Sequence, residues 1–213
     1  FHPVKTITMG EGGAVSTNNE AFATRLRRYR NHGMVREADQ FKNADLALDA
    51  RGQANPWYYE MHEIGLNYRA TELQCALGLS QISKLDDFVR QRAALVADYD
   101  VKLAELFPGV RPLSRTLQCS PGWHLYVVLI DFERAGKSRA QIMRELRERG
   151  IGSQVHYIPV HRQPYYSERY GELSLPGADA YYRRALSLPL FPTMKTTDVD
   201  RVCTALAEVL EIV

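Results

Sequence analysis

The longest regular pattern of apolar positions runs from Leu79 to Phe107, a stretch that contains neither glycine nor proline. Its apolar residues are spaced by three and four positions, with a break only at Arg92: Leu85, Val89, Val96, Tyr99, Leu103 and Leu106. Residues at this spacing share one face of an α-helix. The pattern predicts one long helix, or two abutting helices, packed against a core and ended by Pro108-Gly109.

The chain after this helix alternates strand and helix signals. The apolar run at Trp123–Asp131 predicts a strand, and the capping-box pattern that begins at Ser138 predicts a helix ended by Gly150. Ile151–Tyr157 is predicted as the next strand, which gives a strand-helix-strand unit with a right-handed crossover if the two strands are parallel. The remaining predicted elements are a helix near Ala178–Leu186, an extended piece at Leu188–Phe191, and a helix near Thr197–Ile212 with Val199, Val202, Leu206, Val209 and Val213 on its buried side.

The beginning of the chain has shorter elements. Thr6–Thr8 and Ala14–Ser16 are predicted as two short strands joined by a glycine turn. A helix is predicted from about Asn19 to Asn31, with Gly33 as its stop. Residues 34 to 60 have weak periodicity and predict a loop with room for one short helix. A loop of this length in a compact domain is often functional.

The composition is that of an ordinary globular protein of one or two domains, since 213 residues include 45% hydrophobic and 24% charged side chains. The net charge of +2 gives no reason to expect nucleic acid or membrane binding. The basic stretch Arg25–Arg30 fits one exposed helix face at least as well as a phosphate-binding patch. Three cysteines without a CxxC pair predict reduced thiols in a cytoplasmic protein and no metal site.

One lysine stands in a setting that suits covalent chemistry. Lys5 lies between Pro3 and the glycine-rich run Gly10–Gly13, where the glycines allow positive φ and close approach to the backbone. A lysine in a desolvated pocket has a lowered pKa and can form an imine with a carbonyl compound. The alternative is a solvated lysine beside a glycine turn, and composition alone favours that alternative.

A second candidate site lies around His156. Strand alternation would place Ile151, Val155 and Tyr157 on one face and Gly152, Gln154 and His156 on the other, so that His156 faces solvent or a cleft. The loop at residues 158–166 combines imidazole, guanidinium and aromatic groups, which suit a sugar nucleotide. A proline-rigidified surface loop with aromatic rings packed on the core explains the same residues equally well.

Four segments resemble one known family. They are FHPVKTITMGEGGAV at Phe1–Val15, RNHGM at Arg30–Met34, PWYYEMHEIGLNYRATELQCALGLSQ at Pro56–Gln81 and GIGSQVHYIPVHRQPYY at Gly150–Tyr166. All are similar to the DegT/DnrJ/StrS-type sugar aminotransferases, which use pyridoxal 5′-phosphate (PLP). The resemblance implies an α/β fold that is the C-terminal part of the aspartate aminotransferase fold (fold type I). Residues 1–78 would be the tail of the large domain, 79–107 a connecting helix and 108–213 the small α/β domain.

The resemblance also implies roles for individual residues. Lys5 matches the lysine that carries PLP, and related sugar dehydratases have histidine there, so Lys5 favours amino transfer. Asn67 matches an asparagine that reaches the cofactor phosphate of the neighbouring subunit, which implies a homodimer with shared active sites. Arg69 matches an arginine with a structural or substrate-side role. The expected substrate-binding residues are Arg69, His156, Tyr157, Arg162, Gln163 and Tyr165.

The branch that these segments resemble moves an amino group from a donor, expected to be glutamate, to C4 of a UDP-linked 4-keto-6-deoxy-N-acetylhexosamine in pseudaminic acid biosynthesis. Two alternatives stay open. The chain could serve a different nucleotide 4-keto or 3-keto sugar, or it could be a catalytically silent dimerisation fragment. Because a functional segment stands at its first residues, the sequence is expected to be the tail of a longer polypeptide, whose other part would bind the cofactor's phosphate and ring.

Overall fold

The computed structural model describes residues 1–106 and 108–212. They form two compact units. The first unit comprises Phe1–Pro3 and Ile7–Gln81, and the second comprises Val4–Thr6 and the described residues from Ile82 onward. The division at residues 78 and 107 stays a prediction, and the patterns that involve Phe107 and Val213 lie outside the described residues. No helix in the described part of the chain combines the length and the apolar character that a membrane crossing needs.

The first unit contains three α-helices, one 3₁₀ helix (Ala38–Gln40) and one small antiparallel strand pair in its described residues. The helices are α1 (Glu20–Tyr29), α2 (Ala44–Ala47) and α3 (Glu72–Ile82, whose last residue belongs to the second unit), and the strands are β1 (Met34–Val35) and β2 (Glu60–Met61). The predicted first helix is confirmed, and the side chain of Asn19 caps it by accepting from the amide of Phe22. Gly33 has a positive φ of 70° just past the helix.

The two strands predicted at Thr6–Thr8 and Ala14–Ser16 are wrong, because neither segment is a strand. The backbone makes local turn contacts instead. The amide of Met9 donates to the carbonyl of Phe1 at 3.1 Å, and the amide of Gly10 donates to Oγ1 of Thr8 at 3.0 Å. Positive φ at Gly10 and at Gly12, 83° and 148°, confirms a glycine turn here, but the segments on its two sides do not pair as strands.

The long segment at residues 34–60 is anchored by the carboxylate of Glu60, whose side chain is 11% exposed. It accepts from the backbone amides of Lys42 and Asn43 at 2.8 Å each. It also accepts from the hydroxyl of Tyr58 at 3.1 Å and lies 2.6 Å from Nε2 of His62. Burial would raise the pKa of Glu60, but the bonds from Asn43, His62, Lys42 and Tyr58 outweigh burial and lower the pKa to about 2.

We expect acid to release this segment. Because the folded pKa of Glu60 is about 2 and the unfolded value is about 4.3, its stabilising contribution is complete above the unfolded value and is lost as pH falls toward 2. The protection factors of the Lys42 and Asn43 amides in hydrogen exchange should therefore fall over this range. Glu60→Gln should lower them already at neutral pH. The exposed Glu172→Gln is the control, and unchanged protection in Glu60→Gln would contradict the expectation.

The second unit contains five helices and one antiparallel sheet in its described residues. The helices are α4 (Leu85–Ala104), α5 (Arg139–Glu148), α6 (Pro164–Tyr170), α7 (Pro176–Arg184) and α8 (Thr196–Leu210). The sheet has the order β3-β4-β5, formed by Val110–Pro112, Tyr126–Ile130 and Ala185–Leu188. Of the two predicted alternatives, one long helix or two abutting helices, the structure has the second, since α3 ends at Ile82 and α4 begins at Leu85. The capping box at Ser138 and Gln141 is confirmed at the start of α5.

The core of the second unit lies between the sheet and three helices. Helix α8 packs against α4 and α5. Alternate residues of β4, Tyr126, Val128 and Ile130, are at most 2% exposed, so one face of the strand is buried. Helices α4, α5 and α8 contribute fully buried side chains to the same cluster: Tyr99, Leu103, Ile142, Leu146, Val199, Leu206 and Val209.

The strand predicted at Ile151–Tyr157 is wrong, since the segment makes one isolated antiparallel bridge, between Gln154 and Ser187 of β5. Beyond that bridge its polar backbone groups bond to side chains. The amide of Val155 donates to the side-chain oxygen of Gln154 at 2.9 Å, and the carbonyl of His156 accepts from Tyr181 at 2.7 Å. Because β5 is antiparallel to β4 and to this segment, the segment runs in the direction of β4 with β5 between them.

Arg92, which interrupts the apolar spacing of α4, is buried with 6% of its surface exposed. Its Nη1 donates to the carbonyl of Leu190 at 2.9 Å and to the carbonyl of His124 at 3.3 Å. Nε of Arg92 is buried without a hydrogen-bond partner among the described residues. The guanidinium therefore joins α4 to the residue two positions before β4 and to the segment after β5, and no carboxylate in the described chain pairs with it.

Candidate active site

Lys5 belongs to the second unit together with Val4 and Thr6, whereas the residues before Val4 and those that follow Thr6 up to Gln81 belong to the first. Its side chain is exposed and, within the described residues, has no hydrogen-bond or salt-bridge partner. The described residues therefore do not form the desolvated pocket that covalent chemistry at this lysine would use. They do leave the amine accessible and unpaired, so that a carbonyl compound can reach it.

Two histidines of the second unit lie within the electrostatic reach of Lys5. Burial, followed by the charges of Lys5 and Arg92 and the neighbouring His156, lowers the pKa of His124. Burial, followed by the charge of Lys5, lowers the pKa of His156. Both imidazoles are consequently neutral at pH 7 and can donate or accept a hydrogen bond.

Two contacts hold His156 in place. Its Nδ1 lies 2.7 Å from Oγ of Ser187, a buried serine of β5. The hydroxyl of Tyr181 in α7 donates to the backbone carbonyl of His156 at 2.7 Å, and burial raises the pKa of this tyrosine. With Nδ1 engaged, Nε2 is the nitrogen of His156 that remains for a ligand.

Tyr157 does not share a face with Ile151, as strand alternation predicted. Ile151 is 5% exposed and buried in the core, whereas Tyr157 is 61% exposed. The peptide bond between His156 and Tyr157 is cis. The segment is not a strand beyond the bridge at Gln154, so its side chains no longer alternate between two faces there.

The loop after Tyr157 has features of both alternatives that its sequence left open, a ligand-binding loop and a rigid surface loop. Val160–Arg162 forms a 3₁₀ turn, and the guanidinium of Arg162 lies 2.6 Å from Oδ1 of Asp179 in α7, so the loop is fixed to the unit. Gln163 precedes α6, and its carbonyl accepts from the first amides of that helix. Tyr165 is 63% exposed, and its ring packs perpendicular to that of Tyr166 with 5.2 Å between the ring centres. The loop is thus both anchored and open to a ligand.

Asn67 and Arg69 belong to the first unit, whereas Lys5 and His156 belong to the second. Asn67 forms an isolated bridge with Asn31, whose side-chain oxygen accepts from Nη1 of Arg69 at 2.5 Å. Arg69 lines a cleft of about 1160 Å³ together with Arg27 and Arg30. A cleft with three guanidinium groups can accommodate an anionic group such as a phosphate.

Sequence patterns did not single out His124 as a site residue, because its relation to Lys5 is set only by folding. The one available signal was Arg92, an arginine on an otherwise apolar helix face. A buried arginine needs acceptors, and the carbonyl of His124 is one of the two it finds.

Comparison with known proteins gives consistent matches over nearly the whole chain. The sequence profile of the DegT/DnrJ/EryC1/StrS aminotransferase family matches residues 1–207. SpsC, a spore coat polysaccharide biosynthesis protein of Bacillus subtilis (strain 168), is 34% identical over 214 residues, which cover 99% of this chain and 52% of SpsC.

Solved structures show the same fold. Helicobacter pylori PseC, an aminotransferase involved in the biosynthesis of pseudoaminic acid, is 28% identical with a TM-score of 0.84, over 99% of this chain and 52% of PseC. DesV of S. venezuelae, solved in complex with a ketimine intermediate, is 31% identical with a TM-score of 0.79, over 100% of this chain and 51% of DesV. The chain spans about half the length of these relatives, and the prediction of part of an α/β aminotransferase fold is confirmed.

Proposed function

The chain belongs to the DegT/DnrJ/EryC1/StrS aminotransferase family, and from this premise we propose that it is part of a PLP-dependent nucleotide-sugar aminotransferase. The observation that carries the proposal is Lys5, an accessible amine without an ionic partner in the described chain, beside two neutral imidazoles. Amines and neutral imidazoles suit a cofactor that bears an aldehyde. The relatives are about twice as long as this chain. We propose that residues corresponding to the rest of their length cover this lysine.

The residues of the chain have distinct tasks in this proposal. Lys5 would hold PLP through its amine and would act as the base and acid that moves the proton of the donor's α-carbon. PLP, when bound, withdraws electrons from that carbon. His156, fixed by Ser187 and Tyr181, orients the substrate beside Lys5.

The remaining proposed site residues act at a distance from the reacting carbon. Tyr157 and Tyr165 present exposed rings to the sugar or base, and Arg162 and Gln163 contact the nucleotide. Asn67 reaches the cofactor phosphate of the neighbouring subunit.

Reduction with borohydride in the presence of PLP tests the function directly. We expect a phosphopyridoxyl group on the peptide that contains Lys5 and on no other lysine peptide, read by mass spectrometry of the full-length protein. An unmodified Lys5 in that protein would refute the proposal and leave a catalytically silent dimerisation fragment as the better account.

The proposed substrate is a UDP-linked 4-keto-6-deoxy-N-acetylhexosamine, with glutamate as amino donor. Its support is the likeness to PseC, which acts in the biosynthesis of pseudoaminic acid. The likeness to SpsC, which serves spore coat polysaccharide, favours a different nucleotide keto sugar as the second candidate. Assay of the full-length enzyme with UDP-linked and dTDP-linked 4-keto and 3-keto sugars decides between them, since the preferred substrate should have the highest kcat/KM.

We also propose a homodimer in the cytoplasm. Helix α3 has no buried residue, and apolar side chains on and near it are largely exposed: Ile64 at 86%, Leu73 at 84% and Leu79 at 72%. Large apolar side chains exposed in one segment of the chain are typical of an interface, and we propose that the second subunit covers them. The three cysteines are unpaired, in accord with a reducing compartment. Light scattering of the full-length protein should give twice the chain mass, and a monomer would exclude a shared active site.

A further inference from the structure

Asp179 is a largely buried carboxylate beside the loop that follows Tyr157, and the proposed reaction gives it no task. It lies in the first turn of α7, and its side chain is 18% exposed. Its Oδ1 atom is buried. The carboxylate and the loop belong to the same unit, so their contacts are fixed within one compact body.

Two consecutive side chains of the loop converge on Oδ1 of Asp179. Nη2 of Arg162 lies 2.6 Å from this oxygen, and Nε2 of His161 lies 3.6 Å from it. The imidazole is 7% exposed, and its Nε2 has no hydrogen-bond partner among the described residues. At 3.6 Å the imidazole is too distant to bond the oxygen, so Arg162 is the group that pairs with the carboxylate.

Arg162 is held on one side only. Its side chain is 49% exposed, whereas the oxygen with which it pairs is buried. A guanidinium has five N–H donors in one plane, and an ion pair through Nη2 leaves the donors on its other nitrogens. In the described chain, Asp179 is the one ion-pair partner of this arginine. The exposed part of the cation therefore has donors available for an anion.

Helix α7 is a firm support for the carboxylate. Arg139 of α5 donates to the carbonyl of Tyr182 and, at 3.3 Å, to that of Ala185, and its guanidinium carbon lies 4.6 Å from the centre of the Tyr182 ring. The helix also binds the loop at a second point, where the hydroxyl of Tyr181 donates to the carbonyl of His156 at 2.7 Å. A side chain on an anchored helix holds its partner more precisely than a side chain on a loop would.

On the basis of the proposed function, in which Arg162 contacts the nucleotide, we propose that Asp179 is a positioning residue for the substrate's diphosphate. Asp179 acts through Arg162. It fixes the guanidinium in the orientation in which the remaining donors bind phosphate oxygens. The rotamer entropy of the long arginine side chain is then lost on folding and not on binding, which strengthens the binding of the anion.

The negative charge of Asp179 acts in the opposite direction, because it repels an anionic ligand. Since Arg162 is half-exposed, water and salt screen this repulsion. The ordering of the arginine therefore outweighs the repulsion, and removal of Asp179 weakens the binding of a diphosphate. Tighter binding would follow if the carboxylate acted only by its charge.

The test measures nucleoside diphosphate binding to the full-length protein by isothermal titration calorimetry, with UDP and dTDP as probes. We expect Asp179→Ala to weaken the binding of the preferred probe about tenfold, the upper end of the cost of ordering one long side chain. Asp179→Asn keeps one acceptor oxygen and should weaken it less. Asp86→Ala is the matched control, since it removes an exposed aspartate from the first turn of α4, and it should keep the native affinity.

A double variant identifies the residue through which Asp179 acts. Arg162→Gln alone should weaken binding about tenfold, and the addition of Asp179→Ala should cause no further loss, whereas independent effects would multiply to about a hundredfold. Tyr181→Phe is the comparison, because it breaks the other bond from α7 to the loop. Its effect should be the same with and without Arg162→Gln.

The half-reaction with glutamate separates positioning of the arginine from a general loosening of the loop. It needs no nucleotide and can be followed by the absorbance of the cofactor, so Asp179→Ala should keep the native rate. A loosened loop would also displace His156 and slow this step. Melting temperatures verify that the variants fold, and Asp179→Asn serves the same test if Asp179→Ala does not fold.

The inference is overturned by native or tighter diphosphate binding in the Asp179 variants, by a further loss in the double variant, or by a slowed glutamate step. It is also overturned if the native protein binds neither probe, or if Tyr181→Phe depends on Arg162 in the same way. These results are distinct from a failure of the proposed function. If the phosphopyridoxyl group forms on Lys5, the aminotransferase proposal stands and only the task of Asp179 is wrong.

Discussion

Replacement of Lys5 by alanine is expected to lower kcat of the full-length enzyme by about a thousandfold and to abolish the borohydride-stable PLP adduct. General acid–base catalysis contributes roughly 10²- to 10⁴-fold, and in the proposed function Lys5 would supply both that proton transfer and the attachment of the cofactor. His124 and His156 are not expected to replace the amine, since an imidazole has no primary amine with which to hold the cofactor's aldehyde as an imine. Single-turnover measurement with each substrate would show the loss in both half-reactions.

The control for this variant is Lys84→Ala, which removes another exposed lysine of the second unit. It should retain the activity of the native enzyme. Added methylamine should restore part of the proton transfer in Lys5→Ala, because the free amine can take the place of the missing side chain. A Lys5→Ala enzyme with native kcat would mean that another group performs the proton transfer.

Leu206→Ala is expected to lower the free energy of unfolding by about 2–5 kcal/mol. Leu206 is fully buried on α8, within the cluster that joins this helix to the sheet. The truncation loses the transfer free energy of the removed atoms and leaves a cavity that the close-packed surroundings cannot fill. Urea denaturation followed by circular dichroism measures the change.

The matched control is Leu117→Ala, the same substitution at a leucine that is 102% exposed. Its free energy of unfolding should stay within about 0.5 kcal/mol of the native value. If the two variants lose equal stability, the packing of α8 onto the sheet is not what stabilises the second unit.

The elements that sequence patterns predicted correctly depend on local interactions. The helix face of α4 follows from apolar spacing, and the start of α5 follows from a capping box within four residues, Ser138 to Gln141. Both signals act within one or two turns of a helix. They are therefore present in the sequence before any tertiary contact forms.

The wrong predictions concern strands, whose pairing partners are distant in sequence. Ile151–Tyr157 has the composition of a strand but makes a single bridge, because Tyr181 takes the carbonyl of His156. Thr6–Thr8 has the β-branched residues of a strand, yet the chain turns at Gly10. No property of either segment alone reveals which groups its backbone will meet.

The candidate site also contains residues that local sequence motifs indicate and one residue that only the fold reveals. Lys5 and Asn67 are proposed as site residues through resemblance, because their short motifs carry information that composition does not reveal. His124 was missed, since its proximity to Lys5 joins positions 119 residues apart and is produced by the fold. Arg92 interrupts the apolar face of α4, but only the structure shows that its guanidinium donates to the carbonyl of His124.

The anchor at Glu60 has a consequence for how this protein can change over evolution. The carboxylate is held mainly by the backbone amides of Lys42 and Asn43, which any residue except proline provides. Substitutions at the exposed positions between Asp49 and Gln53 are therefore expected to leave the two amide bonds to Glu60 in place, whereas the fully buried Ala47 is constrained by packing. Lineages could diversify this stretch, or an engineer could graft a recognition peptide into it, without rebuilding the two ends.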